Sequence, residues 1–337
     1  MTLERERDVT PSAPVRRAPA HPAWRAAGVV LAALAGAALL VLAVPLAAGV
    51  APVAQLVSFR ALVGLGALLA AGVVLGVPWL RRRVLPLGLV LVLGGLAQAA
   101  VLAGRTVGQQ PGGAASGDGL VVLAFNTADV VDAPTLARLV EQQRADVVAL
   151  PETSRSTTAR TAALLGEAGR PMVVESGAST VPWIQGTTML VSAALAPGPP
   201  TTVSLPVGGV QVAAEGGVLV AGHTTSPTAR SQMAAWRADT RALAQTCAAQ
   251  PGAVVAGDFN ATLDHPGLRD LGPCVDAAAA VGRASSGSWP ASAPTWLAAP
   301  IDHVLVDGRA WWVESFAVLA RTGGSDHRPV VAHLVRR

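Results

Sequence analysis

Three long apolar stretches without a single charged residue lie in the first third of this 337-residue chain. They run over residues 26–44, 61–80 and 84–104. Each is long enough to cross a hydrocarbon core of about 30 Å as a helix. A cleaved signal peptide can mimic the first stretch, but not all three. The pattern therefore predicts three transmembrane helices over residues 26–104, with the lipid bilayer as a partner of the chain.

Arginines flank the three stretches unequally. Five of them lie in residues 1–25 and three at residues 81–83, whereas Arg60 and Arg105 stand alone in the other two flanks. Basic segments stay cytoplasmic, so residues 1–25 are predicted to be a cytoplasmic tail. The chain is then a multi-pass cell-membrane protein whose remaining part is extracytoplasmic. That part carries a net charge of −3, against +7 up to Arg105, so the basic charge predicts topology and not nucleic-acid binding.

The part of the chain after the third stretch divides in two. Residues 105–119 lack apolar periodicity and are rich in Gly, which predicts a flexible linker. Residues 120–337 alternate short apolar runs with helical patterns and are predicted to form one catalytic domain. Cys247 and Cys274 both fall there. They are either two free buried thiols or a disulfide, and an extracytoplasmic location favours the disulfide.

Polar residues end six of the apolar runs. In chain order the motifs are FN ending at Asn126, PE at Glu152, a run ending at His223, GDFN with Asp258 and Asn260, IDH with Asp302, and SDH with Asp326 and His327. Each motif alone is equally well explained by a capped turn or a solvated loop. Phosphoester hydrolysis, however, needs a hard cation, a carboxylate that holds it, a base that orients water and an acid on the opposite side. The series supplies every part.

This series resembles the endonuclease/exonuclease/phosphatase superfamily, which includes DNase I, AP endonucleases, sphingomyelinases and inositol-phosphate phosphatases. The resemblance covers residues 120–335 and keeps the order of the family's motifs. It implies an α+β fold, a four-layer α-β-β-α sandwich of the DNase I type. It also implies a metal-dependent phosphodiesterase or phosphatase that uses Mg²⁺, with Mn²⁺ as the alternative.

The resemblance assigns a role to each motif residue. Glu152 is similar to the principal metal ligand of the family, and Asn126 and Asp326 are similar to the residues beside the metal. The residues with catalytic counterparts are His223, Asp258, Asn260, Asp302 and His327. Among these, Asp258 resembles the carboxylate that activates water, and Asn260 resembles the amide that binds phosphate. Asp302 resembles the residue that orients the His327 imidazole.

The substrate is less constrained than the chemistry. Three spans, a linker and an outer catalytic domain resemble the actinobacterial membrane proteins associated with teicoplanin resistance, which implies a phosphorylated lipid or cell-envelope intermediate as substrate. The alternative is an extracellular nuclease that hydrolyses DNA. Pro300 stands where many family members carry a basic residue before the ID motif, which weakens the nuclease interpretation. A third hypothesis, a catalytically inactive sensor, is disfavoured because every expected position holds a competent residue. The sequence indicates no protein partner.

Overall fold

The chain folds into a helical region followed by a domain of two β-sheets. The computed structural model describes residues 22–45, 47–110, 117 and 119–337. Most of the predicted cytoplasmic tail and of the predicted linker therefore lies outside the described residues. The helices of the first region are α1 (Pro22–Ala43), α2 (Val53–Ser58), α3 (Arg60–Gly76) and α4 (Pro78–Gly104).

The three long helices lie side by side as a bundle. Gly28 near the start of α1 faces Val84 near the start of α4, so these two helices run parallel. Gly88 of α4 faces Leu75 near the end of α3, so α3 runs antiparallel to α4. Consequently the end of α1, the start of α3 and the end of α4 lie at one end of the bundle.

Glycines allow the helices of the bundle to approach closely. A Cβ atom on Gly94 would lie 2.3 Å from Leu39 Cδ1, and one on Gly95 would lie 2.6 Å from Leu68 Cγ. Any larger residue there would push α4 away from its neighbours. Small residues at helix contacts are typical of helices that pack in a membrane.

The prediction of three membrane-spanning helices is wrong in its count. Among the described residues, two helices are long and apolar enough to cross a membrane, Ala26–Ala43 within α1 and Pro78–Gly104. The middle stretch was expected to continue to residue 80, but α3 ends at Gly76 because Pro78 opens the next helix. With 17 residues, α3 is roughly 25 Å long. Residues 81–83, which were expected in a loop, belong to α4.

Two six-stranded sheets form the domain, and each mixes parallel and antiparallel pairs. In spatial order, the first sheet contains Trp311–Val318 (β11), Val330–Arg336 (β12), Gly119–Ala124 (β1), Val147–Leu150 (β2), Thr187–Ser192 (β4) and Met172–Gly177 (β3). The second contains Pro200–Thr202 (β5), Gly209–Ala214 (β6), Gly217–His223 (β7), Val254–Asp258 (β8), Asp302–Asp307 (β10) and Cys274–Asp276 (β9). The helices of the domain are α5 (Ala133–Gln143), α6 (Arg155–Glu167), α7 (Met233–Ala249) and α8 (Ala277–Ala280).

Alternate residues of the strands face two different apolar cores. Val122 of β1 packs in the core between the two sheets, whereas the next residue, Leu123, packs with Leu136 of α5. In the second sheet Val255 packs with Trp236 of α7. Because side chains alternate along a strand, each sheet is covered by the other sheet on one face and by helices on the other. This is the predicted four-layer α-β-β-α sandwich.

A disulfide ties the α7 layer to the edge of the second sheet. Cys247 of α7 and Cys274 of β9 are bridged, so of the two interpretations of these cysteines the disulfide is the one observed. The start of the predicted linker also contacts the domain. Gln110 Nε2 donates to Val313 O at 2.9 Å, and Val313 N donates to Gln110 Oε1 at 2.9 Å.

Buried ionic contacts join one end of the bundle to the domain. Arg60 Nε and Nη2 donate to the two carboxylate oxygens of Asp264 at 2.7 and 2.8 Å, and Arg105 Nη2 lies 2.5 Å from Asp264 Oδ2. Arg60 Nη1 donates to Gln98 Oε1 at 2.6 Å. His265, which follows Asp264 in the chain, donates from Nε2 to the carbonyl of Ala54 in α2, at 3.0 Å. We call Arg60, Gln98, Arg105, Asp264 and His265 the junction cluster.

Candidate active site

The strand ends of both sheets meet at one place. Asn126 and Glu152 each lie two residues beyond the end of a parallel strand, β1 and β2 respectively, and Asp326 and His327 precede β12, which pairs antiparallel with β1. In the second sheet, Asp258 ends β8 and lies opposite both His223 of β7 and Asp302 of β10. The sandwich therefore brings together all eight predicted residues. We call Asn126, Glu152, His223, Asp258, Asn260, Asp302, Asp326 and His327 the catalytic cluster.

Asp302 and His327 form a hydrogen-bonded pair across the two sheets. His327 Nδ1 and Asp302 Oδ2 are 2.8 Å apart, and both side chains are buried. The Ser325 hydroxyl fixes the loop that carries His327, because it donates to Asn126 O at 2.8 Å and accepts from His327 N at 3.0 Å. His327 Nε2 points towards Asp258, 3.7 Å from its Oδ2. The carboxylate thus orients the ring towards the centre of the cluster.

Asn126 links the two acidic groups of the cluster. Its Nδ2 donates to Glu152 Oε1 and to Asp258 Oδ2, each at 3.0 Å. Its Oδ1 accepts from Ala128 N at 2.9 Å. In this arrangement the Nδ2 of Asn126, and not its Oδ1, faces the two carboxylates.

His223 and Asn260 form the opposite side of the cluster. His223 Nε2 lies 3.5 Å from Asp258 Oδ2, 3.8 Å from Glu152 Oε1 and 3.3 Å from Asn260 Nδ2. Asn260 N also donates to Asp258 Oδ1 at 2.8 Å. Glu152 and Asn260 both have a positive φ of 46°. Residues other than Gly rarely adopt this conformation, which concentrates at functional sites.

Trp289 is a member of the site that the sequence motifs did not indicate. Its Nε1 donates to Asp326 Oδ2 at 2.9 Å, and its ring centroid lies 6.5 Å from that of His327. The residue belongs to none of the six motifs, and only the fold brings it to the strand ends. Trp296, which lies closer to the IDH motif in the sequence, is 59% exposed.

The electrostatics of the cluster favour a protonated imidazole beside a carboxylate. Burial lowers the pKa of His327, but the negative charges of Asp302 and Asp258 outweigh this effect and raise the pKa to about 10. Burial raises the pKa of Asp258, and the positive charge of His327 opposes that rise. His327 can therefore hold a proton at neutral pH, and Asp258 is a better proton acceptor than an exposed carboxylate.

Comparison with known proteins places this site in a family. The family model described as Endonuclease/Exonuclease/phosphatase family matches residues 123–327, a span that contains the whole catalytic cluster. The chain belongs to the endonuclease/exonuclease/phosphatase family. Membership indicates a phosphoester hydrolase. No curated protein matches the chain.

Solved structures agree with this family assignment at the level of the fold. The endonuclease/exonuclease/phosphatase from Beutenbergia cavernae DSM 12333 matches with a TM-score of 0.53 and 19% identity, over 65% of this chain and 72% of that chain. D. rerio TDP2, complexed with a single strand DNA product, matches with a TM-score of 0.51 and 15% identity, over 64% of this chain and 99% of that chain.

The donor set suits the divalent metals that enzymes of this family typically use. One ligand atom each from Asp258, Asp302 and His327 lies within 4.8 Å of the others, and Asp302 Oδ1 is buried without a hydrogen-bond partner. This group does not include the predicted metal ligands, Asn126, Glu152 and Asp326. Those three residues lie beside it, at the same strand ends. Four carboxylates against two histidines leave negative charge that a hard, oxygen-preferring cation neutralises.

A cavity of about 310 Å³ opens above the cluster. Glu152, Asp258 and His327 line its polar side. Part of its wall comes from outside the domain, from Gln55 and Ser58 of α2 and from Phe59. Sequence reasoning missed this wall because the segment carries no motif. Contacts between this segment and the domain bring it to the strand ends.

Proposed function

We propose that this family member is a metal-dependent phosphoester hydrolase, anchored in the cell membrane by its helical bundle, with an extracytoplasmic active site that acts on a lipid-linked or envelope phosphate. The observation that carries the proposal is the composition of the cavity wall. One side consists of catalytic residues, and part of the remaining wall is supplied by Gln55, Ser58 and Phe59 of the segment between α1 and α3. A substrate that reaches the cluster therefore also meets the segment that joins two helices of the bundle.

The catalytic cluster suits hydrolysis at phosphorus. Bound Mg²⁺ or Mn²⁺ would neutralise charge on the phosphate, with Glu152 and Asp326 as its proposed ligands. Asp258 accepts the proton of the attacking water, and Asn260 donates a hydrogen bond to the phosphate. As the bond from phosphorus to the leaving oxygen breaks, His327 gives its proton to that oxygen, while Asp302 keeps the ring in place. His223 stabilises the negative charge of the phosphate from the opposite side of the cluster.

The surface of the bundle supports a membrane location. Only 22% and 17% of the two candidate spans are buried, unlike a helix in the core of a soluble protein. Large side chains such as Leu34, Leu69 and Leu93 are more than 60% exposed along α1, α3 and α4. Because α3 runs antiparallel beside α4, it lies in the same apolar layer. An exposed apolar surface that extends over three helices is typical of lipid contact.

Charge supports the proposed orientation. The end of the bundle far from the domain carries Arg83, whose guanidinium lies 5.0 Å from the Trp24 ring centroid and 4.1 Å from that of Trp79. Arg and Trp together are typical of a cytoplasmic membrane interface. Alkaline phosphatase fused after Arg337 should then be active, and a reporter that works only in the cytoplasm should be silent there. The reverse pattern would overturn the extracytoplasmic site.

The substrate class is tested with the full-length protein in liposomes. We expect turnover of a polyprenyl diphosphate in Mg²⁺, loss of turnover in chelator, and slower cleavage of plasmid DNA. Cleavage of DNA with every lipid phosphate left intact would make the protein a membrane-anchored nuclease. Inactivity on every phosphoester in both Mg²⁺ and Mn²⁺ would overturn the hydrolase itself.

A further inference from the structure

The segment that connects α1 to α3, residues 47–59, is built into the catalytic domain. We call it the crossover segment. Ala54 in its helix α2 is buried within the core that α7 forms with the second sheet. The Ala54 carbonyl accepts from His265, and the Gly49 carbonyl accepts from Arg237 Nη1 at 2.5 Å. The crossover segment is therefore a fixed part of the domain surface and not a free loop.

The crossover segment faces the reacting groups through an aromatic path. The Phe59 ring centroid lies 5.9 Å from that of Trp289, which in turn lies 6.5 Å from the His327 ring. Gln55 donates through Nε2 to Pro227 O, but its Oε1 is buried without a partner and belongs to a residue that lines the cavity. An unsatisfied polar atom is unusual in a surface made only for packing, and it points to a ligand.

The lining of the cavity restricts what that ligand can be. Its described lining residues include no Arg, and the chain contains no Lys. A nucleic-acid strand presents further phosphates beside the one that reacts, and these are normally neutralised by Arg or Lys. Away from the cluster the described wall carries no charged side chain and is mainly apolar, with Phe59, Ile184, Val207, Trp289 and Ile301 beside the uncharged polar residues Gln55, Ser58, Thr224, Ser226 and Thr228. This wall fits one phosphate that carries an apolar stem.

The same wall continues onto the bundle. Phe59 directly precedes Arg60, the first residue of α3, and Leu56 and Leu62 on either side of it are 44% and 47% exposed. An apolar stem that leaves the cavity past Phe59 would therefore meet exposed apolar side chains of the crossover segment and of α3.

We propose that the crossover segment is the specificity element of the active site, in which Phe59, together with Trp289, holds the apolar stem of a membrane lipid whose phosphate lies at the catalytic cluster. This inference rests on the proposed hydrolase function and adds the group that selects the substrate. It assigns to the membrane-proximal part of the chain a role in recognition as well as in anchoring.

Two phosphodiesters that differ only in their stem test the inference. Hexadecyl p-nitrophenyl phosphate in phosphatidylcholine vesicles and methyl p-nitrophenyl phosphate in solution both release p-nitrophenolate when water attacks phosphorus. The full-length protein should prefer the hexadecyl ester. Phe59→Ala should lower kcat/KM for that ester roughly 10-fold or more, as expected when a large apolar contact is lost, and should change the methyl ester less than about twofold.

Two further variants control for damage to the fold. Phe59→Leu retains most of the apolar contact and should restore most of the preference for the hexadecyl ester. Leu69→Ala removes a side chain that is 63% exposed on α3 and should leave both rates unchanged. If Phe59→Ala lowers both esters equally, or neither, the specificity role is overturned while the hydrolase stands. If the unmodified protein cleaves polyprenyl diphosphate but neither ester, the specificity role is overturned while the hydrolase stands, and inactivity on all three substrates overturns both.

Discussion

Two buried polar clusters in this molecule contain similar side chains but differ in how their charges are matched. In the junction cluster, one carboxylate, Asp264, lies between Arg60 and Arg105, and every contact joins a donor to an acceptor. In the catalytic cluster, four carboxylates face two histidines, and Asp302 Oδ1 and His223 Nδ1 have no partner. The first cluster is complete within the protein. The second is incomplete without a cation and a substrate.

A buried histidine in each cluster shows the same contrast. Burial lowers the pKa of His265 to about 4, although its bonds to the Ala54 carbonyl and to Thr262 N oppose the shift. At His327 the nearby carboxylates outweigh burial and raise the pKa to about 10. One ring is kept neutral and joins two backbones, and the other is kept charged and faces a cavity. Burial alone does not identify a functional histidine; a surplus of negative charge around a ring that faces a cavity makes it a candidate.

The largest expected effect is a loss of turnover in the catalytic cluster. Glu152→Gln should lower turnover about 10³-fold, because a neutral amide cannot replace a ligand that holds a charge-neutralising metal. Isothermal titration should show weaker Mn²⁺ binding, with thermal unfolding unchanged. Glu141→Gln, on the exposed side of α5, is the matched control and should behave as the unmodified protein. Full turnover in Glu152→Gln would remove this residue from the site.

The junction cluster should respond in the opposite way, because its disruption should lower stability before it lowers turnover. Asp264→Asn leaves the buried Arg60 and the half-buried Arg105 around a neutral side chain and should lower the free energy of unfolding by about 3 kcal/mol. For a domain of this size, that corresponds to a fall of about 10 °C in the midpoint of thermal unfolding in detergent. The exposed Asp270→Asn serves as the control. An unchanged midpoint in Asp264→Asn would mean that the bundle and the domain are not coupled there.

The Asp302–His327 pair should lose activity without losing the fold. His327→Ala should lower kcat about 10²-fold, a normal share for a group that moves a proton. Asp302→Asn should reproduce much of that loss because the ring is no longer oriented. The double variant should lose little more than His327→Ala alone. Losses that multiply in the double variant would mean that the two side chains act independently.

The residues of the catalytic cluster were predictable because their information is local. Asn126, Asp258 and His327 each end or precede an apolar run, so the alternation of strands and polar ends places them at one edge. The four-layer sandwich follows from the same pattern, because continuously apolar strands must be covered on both faces. The disulfide was also predictable, because both cysteines lie in one domain.

The residues of the junction cluster were not predictable in this way. Arg60 was interpreted as a weak signal of topology, yet it is 2% exposed and bound to Asp264, 204 positions away. Phe59 lines the cavity because this contact, together with the other contacts of the crossover segment with the domain, holds that segment in place. The early end of α3 is a different case, because Pro78 is a local signal that a count of apolar residues ignores. Long-range contacts between segments without motifs leave no pattern in a single sequence.

The smallest expected effect is a dependence of stability on pH at His265. Because the pKa of this ring in the folded state, about 4, lies below its ordinary value of 6.5, the unfolded chain binds a proton more readily. Its contribution to stability is therefore complete above pH 6.5 and is lost as the pH falls towards 4, by about 2 kcal/mol at pH 5. Asp264 does not add to this slope. Burial raises its pKa, but Arg60 and Arg105 outweigh burial and hold it below the ordinary value, so it stays ionised in this range.

The midpoint of thermal unfolding in detergent, measured from pH 7.5 to 5, should fall less in His265→Gln than in the unmodified protein, and His333→Gln should keep the original slope. Equal slopes in all three proteins would show that the ring does not hold α2 against the domain.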